Sequence, residues 1–344
     1  MSKKKVLVVG FGKRVREAAL PAIAACEGLE LAGIVARSSR REGEYEVGAL
    51  EDLVSLEGID VAYLAVGKDA TPAVLGKLAA LDASGTELLV ETPVVRFKHF
   101  CHVRSLAAFR RVSVAEDCAY LPWFDTVRAA RKEGLLGDPA ELLLHHSAYA
   151  YHGLATAKAL LGAARVRSGR RARVATGPNG PVMERRIRFA GGTRAVVHEP
   201  RDYATGSWTL VGTKGSISDE AGGAAGAHQL EVLVEDGLVA GFRVAGVETR
   251  LTNSERALTG GSPAGASVTA RQEAMKRVGF LRIWDRIASG DGGYPLADGL
   301  DDMVIDYHLE KLGRYVANPL TSPRSPLARL LLGAVTRLAG QSPA

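Results

Sequence analysis

The first third of the chain alternates short apolar runs with segments whose apolar residues recur at helical spacing. Five runs are almost continuously apolar, which is typical of strands buried on both faces of a parallel sheet, and they lie at residues 5–9, 29–36, 61–66, 87–90 and 112–116. The helical spacing occurs between them, at residues 14–26, 50–56, 71–81 and 97–109. This strand–helix order predicts an α/β domain with a doubly wound parallel sheet, of the Rossmann type, over residues 1–119.

Beyond residue 119 strand-like runs follow one another with few helices between them. Turn pairs such as Gly191-Gly192 and Asp236-Gly237 separate several of these runs, as in antiparallel hairpins. Residues 120–325 are therefore predicted to form an α+β domain built on an open, mostly antiparallel sheet. Its strands are expected at residues 141–146, 184–190, 193–198, 207–211, 229–235 and 238–244, and its helices at 123–133, 271–288 and 301–317.

Residues 326–344 are predicted to form a C-terminal amphipathic helix and tail. The apolar stretch 327–338 is interrupted by Arg329 and Arg337 and is too short to cross a membrane. We expect its apolar face to pack on the body of the protein or on a neighbouring subunit rather than on a membrane surface.

Composition and charge exclude several classes of protein. The 44 basic and 38 acidic residues give a net charge of +6, but they are scattered with few aromatic residues between them, which argues against a nucleic-acid partner. Cys26, Cys101 and Cys118 form no CxxC pair, so we expect neither a disulfide framework nor a metal site. A reduced, cytoplasmic protein without a membrane segment is the simplest expectation.

A glycine-rich turn lies between the first predicted strand and the first predicted helix. Gly10 permits the tight turn, and Gly12 lets backbone N–H groups approach a pyrophosphate at the helix N-terminus. Lys13 and Arg14 follow directly and are expected to face the same phosphates. Val15 stands where this motif usually has a small third residue, which weakens it. The turn predicts a dinucleotide site, and the alternative is a Rossmann-shaped domain that no longer binds one.

The residues after the second predicted strand select between the two nicotinamide dinucleotides. An acidic side chain there would accept the ribose 2′-hydroxyl of NAD, but this chain has Arg37 and Ser38. Arginine can stack on adenine and pair with a 2′-phosphate, and serine can donate a hydrogen bond to it. We therefore expect NADP(H) in preference to NAD(H), the alternative being that the following Arg40 and Arg41 only begin a solvated loop.

The order of landmarks resembles the family of glucose-fructose oxidoreductase, inositol dehydrogenase and the rhizopine catabolism proteins (Gfo/Idh/MocA). The resemblance covers nearly the whole chain and is carried by several segments together. They are Gly10-Phe-Gly12 with Leu20-Pro21, Val61-Ala-Tyr-Leu-Ala-Val66, Val90-Glu91-Thr92-Pro93, Val114-Ala-Glu-Asp117, Leu210-Val-Gly-Thr-Lys-Gly-Ser-Ile217 and Pro295-Leu-Ala-Asp-Gly299.

The resemblance implies a Rossmann domain followed by a domain whose open sheet often joins subunits, so we expect a homodimer or homotetramer. It also implies hydride transfer between a nicotinamide and a small sugar, cyclitol or related molecule. The cofactor would lie along the glycine turn and along Arg37 and Ser38, named the arginine corner. It would continue along a stretch made of Val66, Gly67, Glu91, Thr92 and Pro93.

Two departures from the family pattern bear on the chemistry. The family usually has lysine where this chain has Thr92, and threonine supplies no positive charge and is a poor acid or base. The family's aspartate, four residues before a histidine, falls on Ala148, while His152 takes the histidine position. His152, Tyr151 and Tyr120 are therefore the candidate catalytic residues, since histidine and tyrosine can exchange protons with a substrate. The alternative for each is a hydrogen-bonded packing residue.

Three functions follow from this pattern. The first is an NAD(P)H-dependent oxidoreductase acting on a small carbonyl, alcohol or imine with an altered acid–base set. The second is a non-redox sensor or scaffold protein that keeps the fold. The third is a lyase, epimerase or isomerase that holds its cofactor tightly and oxidises its substrate only transiently.

Overall fold

A computed structural model of the chain describes residues 2–163, 165–177, 180–220, 226–261 and 267–339. These residues form two compact units. The first contains residues 1–116, 280–304 and 318–344, and the second contains residues 117–279 and 305–317. The chain passes from the first unit to the second after residue 116, close to residue 119, where the sequence pattern changes. It returns to the first unit at residues 280–304 and again at residue 318, so the two units do not correspond to consecutive segments of the chain.

The strands are, in chain order, β1 (Lys4–Val9), β2 (Leu29–Ala36), β3 (Arg40–Glu42), β4 (Tyr45–Ala49), β5 (Val61–Leu64), β6 (Glu87–Glu91), β7 (Arg111–Ala115), β8 (Pro139–His145), β9 (Val166–Gly177), β10 (Gly180–Phe189), β11 (Arg194–Glu199), β12 (Ser207–Gly212), β13 (Ser216–Ser218), β14 (His228–Glu235), β15 (Leu238–Val244), β16 (Val247–Arg250), β17 (Tyr294–Pro295) and β18 (Arg314–Val316). The α-helices are α1 (Leu20–Ala25), α2 (Thr71–Ala79), α3 (Phe124–Lys132), α4 (Ala150–Leu161), α5 (Asn253–Ala257), α6 (Gln272–Ser289), α7 (Leu296–Leu312) and α8 (Pro326–Ala339).

The sheet of the first unit has the order β17-β7-β6-β5-β1-β2-β4-β3. Its central strands β7, β6, β5, β1 and β2 pair in parallel, as the apolar runs predicted, so their carboxyl ends meet at one edge. The hairpin of β3 and β4 extends the sheet beyond β2, with β4 parallel to β2. The sequence pattern missed this hairpin because both strands are short, with three and five residues, and all of β3 is charged.

Two helices predicted for the first unit are not α-helices. Residues 50–56 contain only a single 3₁₀ turn, Leu50–Asp52, because so short a segment cannot offset the cost of helix nucleation. Residues 97–109 form 3₁₀ turns over Phe97–Ala108, interrupted at His99. This segment is rich in histidine, phenylalanine, valine and cysteine, whose helix propensity is low.

The sheet of the second unit has the order β16-β15-β14-β13-β12-β8-β11-β10-β9-β18 and is mostly antiparallel, as predicted. Among the strands of the described residues, only the pairs β8–β11 and β13–β14 are parallel. One face of the sheet covers a large apolar core in which the rings of Trp123 and Trp208 stack with centroids 4.3 Å apart. This core fixes helices α3 and α4 against the sheet, and α4 carries His152.

Helix α8 turns its large apolar residues outward. Leu330 is 72% exposed and Leu338 69%, whereas the small residues Ala328 and Thr336 are buried. The apolar face therefore does not pack on the body of the protein, because the helix is anchored through its small residues, and packing on a neighbouring subunit stays a prediction. Among the described residues, no helix combines the length and the apolar character that crossing a bilayer requires.

Candidate functional site

The glycine turn follows β1 at the carboxyl edge of the parallel sheet. Gly10 has a φ of +113°, and a Cβ there would lie 2.1 Å from the backbone oxygen of Ala65, so only glycine fits. A Cβ on Gly12 would meet nothing within 4 Å. The packing of the protein therefore requires the first glycine, while the second leaves open space at the position where a phosphate would approach.

Val15, the departure from the usual turn, is fully buried and begins a wide π-type turn over Val15–Ala19 before α1. Such turns insert extra backbone into a helix and are frequent at functional sites. The widened turn coincides with the branched side chain, which is how this chain accommodates bulk where the motif has a small residue.

The two cationic side chains after Gly12 have different surroundings. The Nε of Arg14 lies 3.2 Å from Oε1 of Glu91, and its guanidinium lies 4.8 Å from the ring centroid of Phe280. Lys13 is largely exposed, and its Nζ lies 3.8 Å from Oε2 of Glu17, one helical turn away. Arg14 is thus fixed at the sheet edge, whereas an exposed pair such as Lys13–Glu17 holds its partners weakly.

The arginine corner lies at the end of β2. Arg37 and Ser38 are exposed, and within the described ranges the Arg37 side chain has no hydrogen bond or ion pair. Arg40 instead pairs with Glu42 at 3.2 Å, and its guanidinium lies 5.5 Å from the ring of Phe11 in the glycine turn. Arg40 is therefore not a solvated loop residue, and Arg37 is the cation available to a ligand.

Glu91 is a hydrogen-bonding centre at the carboxyl end of β6. Its Oε1 accepts from the Tyr63 hydroxyl at 2.6 Å and its Oε2 from the backbone N–H of Thr92 at 3.2 Å. Together with Arg14, these bonds hold the carboxylate in place next to Thr92 and Pro93, which are joined by a cis peptide bond. The stretch expected to line the cofactor is thus an ordered part of the first unit.

Lys68 is a site residue that the sequence analysis missed. It follows Val66 and Gly67, and its Nζ donates to the backbone oxygen of Glu91 at 2.8 Å. Burial lowers the pKa of Lys68 to about 8, and the nearby Glu91 offsets this only in part. A lysine placed directly after an apolar strand run was the available signal, because parallel strands end at the ligand edge.

His152 lies near the start of α4 in the second unit and is buried. Its ring packs against the rings of Tyr149 and Tyr151, with centroids 5.0 Å and 4.4 Å away. The first residue of the helix, Ala150, has a φ of +50°, and its N–H donates to the Glu199 carboxylate at 2.8 Å. The structure therefore brings Tyr151 and His152 together, next to a strained backbone position held by a buried acid.

Two further side chains join His152. Asp117, Cys118 and His152 each place a potential ligand atom within 4.8 Å of the others, and all three are buried. Ala148, at the position where the resemblance implied an aspartate, is also buried and supplies no such group. Asp117 is thus a carboxylate near His152 that comes from a different part of the chain, just after β7.

Lys276 on α6 completes this group, and the sequence analysis missed it. Its side chain is only 7% exposed, and its Nζ lies 5.3 Å from the ring centroid of Tyr203. Burial alone would lower the pKa of Lys276, but the negative charges of Cys118 and Asp117 outweigh it and raise the pKa. The carboxylate and thiol of this group could ligate a metal, but the lysine already supplies the positive charge that they attract.

Tyr120, the third predicted catalytic residue, lies two residues beyond Cys118 in the same unit. It is half-buried, and its backbone N–H donates to the oxygen of Asp117 at 2.9 Å. The group formed by Asp117, Cys118, His152, Tyr203 and Lys276 is named the polar cluster below.

Comparison with known proteins gives a similarity of fold. No family model matches the chain, and no curated protein matches it. Among solved structures, an oxidoreductase from Thermotoga maritima is 16% identical with a TM-score of 0.61, covering 91% of this chain and 98% of that one. A putative myo-inositol dehydrogenase from Sinorhizobium meliloti 1021 is 13% identical with a TM-score of 0.62, covering 92% of this chain and 100% of that one.

A third structure, scyllo-inositol dehydrogenase from Lactobacillus casei with bound NAD(H) and scyllo-inositol, is 12% identical with a TM-score of 0.62 over 92% of this chain and 99% of that one. These neighbours are oxidoreductases of the kind that the sequence resemblance named. At such identities the similarity establishes the fold, a Rossmann domain combined with an α+β domain, which confirms the predicted fold class.

Proposed function

We propose that this chain is an NADP(H)-dependent oxidoreductase, which transfers a hydride to or from a carbonyl, alcohol or imine carbon of a small molecule. The observation that carries the proposal is the combination of a glycine turn that leaves Gly12 open and an exposed, unpaired Arg37 at the end of β2, as far as the described residues extend. The bound NAD(H) named for the Lactobacillus casei enzyme supports a nicotinamide cofactor in this fold.

The preference for NADP(H) follows from charge. A 2′-phosphate would meet Arg37 and the hydroxyl of Ser38, and guanidinium–phosphate pairs are among the strongest charge-assisted hydrogen bonds. Glu42, an acidic side chain at the end of β3, is already paired with both Arg16 and Arg40. Its negative charge is therefore compensated before a phosphate arrives.

The residues of the first unit fit such a cofactor. The pyrophosphate would lie at Gly12, Lys13 and Arg14, and the nicotinamide end would lie along Val66 to Lys68 and Glu91 to Pro93. When bound, the cofactor supplies or accepts the hydride. The protein's own contribution is then the placement of the substrate and the movement of one proton.

For the second unit we propose that the polar cluster binds the substrate and that His152 hydrogen-bonds its reacting group. The ring of Tyr151, which packs against His152, would restrict its orientation. A partly exposed tyrosine such as Tyr120 could donate a further hydrogen bond to the substrate.

A second candidate function, a non-redox sensor or scaffold protein of the same fold, is supported by the absence of a charged group at Thr92 and Ala148. The third candidate, an enzyme that retains its cofactor and oxidises the substrate only transiently, would carry out a net elimination or epimerisation. Such a protein would retain its cofactor through gel filtration, so the absorbance of reduced nicotinamide would co-elute with the protein. The proposed oxidoreductase would release its cofactor and lose this absorbance.

The assignment of the 2′-phosphate to Arg37 is tested by Arg37→Asp, with NADPH and NADH titrated into the purified protein by quenching of tryptophan fluorescence. We expect NADPH binding to weaken by about 10- to 100-fold, which corresponds to roughly 1.4–2.8 kcal/mol, while NADH binding changes little. Arg41→Asp is the matched control, because Arg41 is also exposed and lies on the hairpin beyond β2. An unchanged preference in Arg37→Asp contradicts the ribose assignment.

We also propose a homo-oligomer joined through the face of the second sheet that lies opposite its core. That face carries Leu143, Val196 and Val211, each only partly buried, with Leu143 and Val196 paired across neighbouring strands. Light scattering after gel filtration tests this, since Leu143→Arg should reduce the mass to that of a monomer and leave NADPH binding intact.

A further inference from the structure

Lys68 lies at the edge of the first sheet where a ligand of this fold would bind. It follows β5 by four residues, and its Nζ donates to the last residue of the neighbouring strand β6. Gly10, at the end of the next strand β1, approaches Ala65 so closely that only glycine fits. The ammonium group therefore belongs to the same carboxyl edge as the glycine turn, where open parallel sheets hold their ligands.

The hydrogen bonds around Lys68 leave most of its capacity unused. An ammonium group has three N–H donors, and in the part of the chain that the structure describes only the bond to the Glu91 backbone oxygen is formed. The Glu91 carboxylate is engaged by the Tyr63 hydroxyl, the Arg14 side chain and the Thr92 N–H. Lys68 is thus held beside Glu91 without being neutralised by a direct ion pair.

We infer that Lys68 is an acid–base group at the nicotinamide end of the cofactor site, where its amine exchanges a proton with the reacting oxygen or nitrogen of the substrate. This inference rests on the proposed function. In the reducing direction, an N–H bond of Lys68 breaks as the bond from that proton to the substrate oxygen forms. The carbon receives the hydride that the cofactor supplies, and the neutral amine of Lys68 regains a proton from water.

The chemistry of Lys68 suits this task better than a purely structural one. Burial lowers its pKa to about 8, so near neutral pH it is mostly charged but releases its proton readily. A lysine that served only as a tether would gain from keeping a full ion pair and an ordinary pKa. Thr92, the residue next to Glu91, can donate a hydrogen bond but cannot carry the charge.

The test measures the lysine directly and needs no substrate. The purified full-length protein is acylated with trace acetic anhydride between pH 6.5 and pH 10.5, and the rate at each lysine is measured by peptide mass spectrometry. Lys132 is the matched control, since it is an exposed lysine at the end of α3. We expect the acylation of Lys68 to reach half of its maximal rate near pH 8, at least one pH unit below Lys132.

The second arm repeats the acylation at pH 8 with saturating NADPH, after NADPH binding has been measured by fluorescence. We expect NADPH to slow the acylation of Lys68 at least fivefold and to leave Lys132 unchanged. Binding of NADPH without protection of Lys68, or a midpoint for Lys68 equal to that of Lys132, overturns the inference while the proposed function stands. Failure of NADPH to bind overturns both together.

Two variants separate proton exchange from charge. Lys68→Arg keeps a cation and a donor but cannot release its proton near neutral pH, and Lys68→Met keeps only the apolar stem. We expect both variants to lose the same basic limb, near pH 8, from the pH profile of NADPH oxidation, measured at NADPH concentrations that saturate each variant. A Lys68→Arg variant that retains this limb shows that Lys68 contributes only its charge, which contradicts the inference.

Discussion

The arginine corner of the first unit and the polar cluster of the second are built in opposite ways. Arg37 and Ser38 are exposed and adjacent in sequence, and among the described residues the Arg37 side chain has no hydrogen bond or ion pair to lose when a ligand binds. The polar cluster is buried, and its members come from residues 117–118, 152, 203 and 276 and are charged or hydrogen-bonded to one another. In the proposed function, the site for the anionic cofactor is therefore local and exposed, whereas the site for the substrate is buried and assembled from distant residues.

The largest expected effect is on turnover, through the polar cluster. His152→Ala should lower the rate of NADPH-dependent turnover by about 10²- to 10³-fold, the usual cost of removing one hydrogen-bond donor to the transition state, and leave the Kd for NADPH unchanged. Steady-state kinetics and fluorescence titration check the two parts. His228→Ala is the control, since His228 lies on β14 outside the polar cluster. If turnover survives in His152→Ala, His152 is a packing residue.

The two glycines of the turn should separate folding from binding. Gly10→Ala brings a Cβ against the Ala65 backbone oxygen and demands a left-handed φ, so we expect a loss of several kcal/mol in the free energy of unfolding. Gly12→Ala meets no protein atom within 4 Å and should unfold at the wild-type urea concentration, while binding NADPH at least tenfold more weakly. Equal stability losses in the two variants would break the distinction between the packing glycine and the ligand glycine.

Removing the cation of the polar cluster should cost stability. Lys276→Met leaves Asp117 and Cys118 buried without their positive partner, and removal of one member of a buried charged group typically costs about 3–5 kcal/mol. Urea unfolding at pH 7 measures this, with Lys132→Met as an exposed control. Because the pKa of Lys276 is raised above the usual 10.5, its stabilisation should be complete below that pH and be lost only as pH rises beyond it.

The smallest expected effect concerns the Glu91 centre. Tyr63→Phe removes the hydroxyl that donates to Glu91 at 2.6 Å but leaves Arg14 and the Thr92 N–H in place. We expect a loss of about 1 kcal/mol in the free energy of unfolding, the usual net value of one hydrogen bond, and a NADPH affinity within threefold of the wild type. A larger fall in affinity would show that Glu91 positions the cofactor through this one bond.

The fold was largely predictable from the sequence because apolar runs and helical spacing are local signals. The parallel strands β1, β2, β5, β6 and β7 and the antiparallel sheet all follow from them. The hairpin of β3 and β4 was not predictable, since its strands are only three and five residues long. The outward-facing leucines of α8 contradict the usual rule for an amphipathic helix.

The candidate site also contains some residues that the sequence could identify and others that it could not. Gly10, Gly12 and Arg37 are adjacent to strand ends and could be found by position alone. Lys276 and Asp117 could not be associated with His152, because 124 and 35 residues separate them from it in the chain and only the folded second unit brings them together. Lys68 lies between these cases, since its position was visible but its lowered pKa depends on burial.

The proposed function is tested most directly by titrating the wild-type protein with NADPH and with NADH at one fixed ionic strength, with binding followed by fluorescence. We expect reversible NADPH binding at micromolar concentration, at least tenfold tighter than the binding of NADH. Tighter binding of NADH would contradict the role given to the arginine corner, and no binding of either dinucleotide would contradict the proposed oxidoreductase itself.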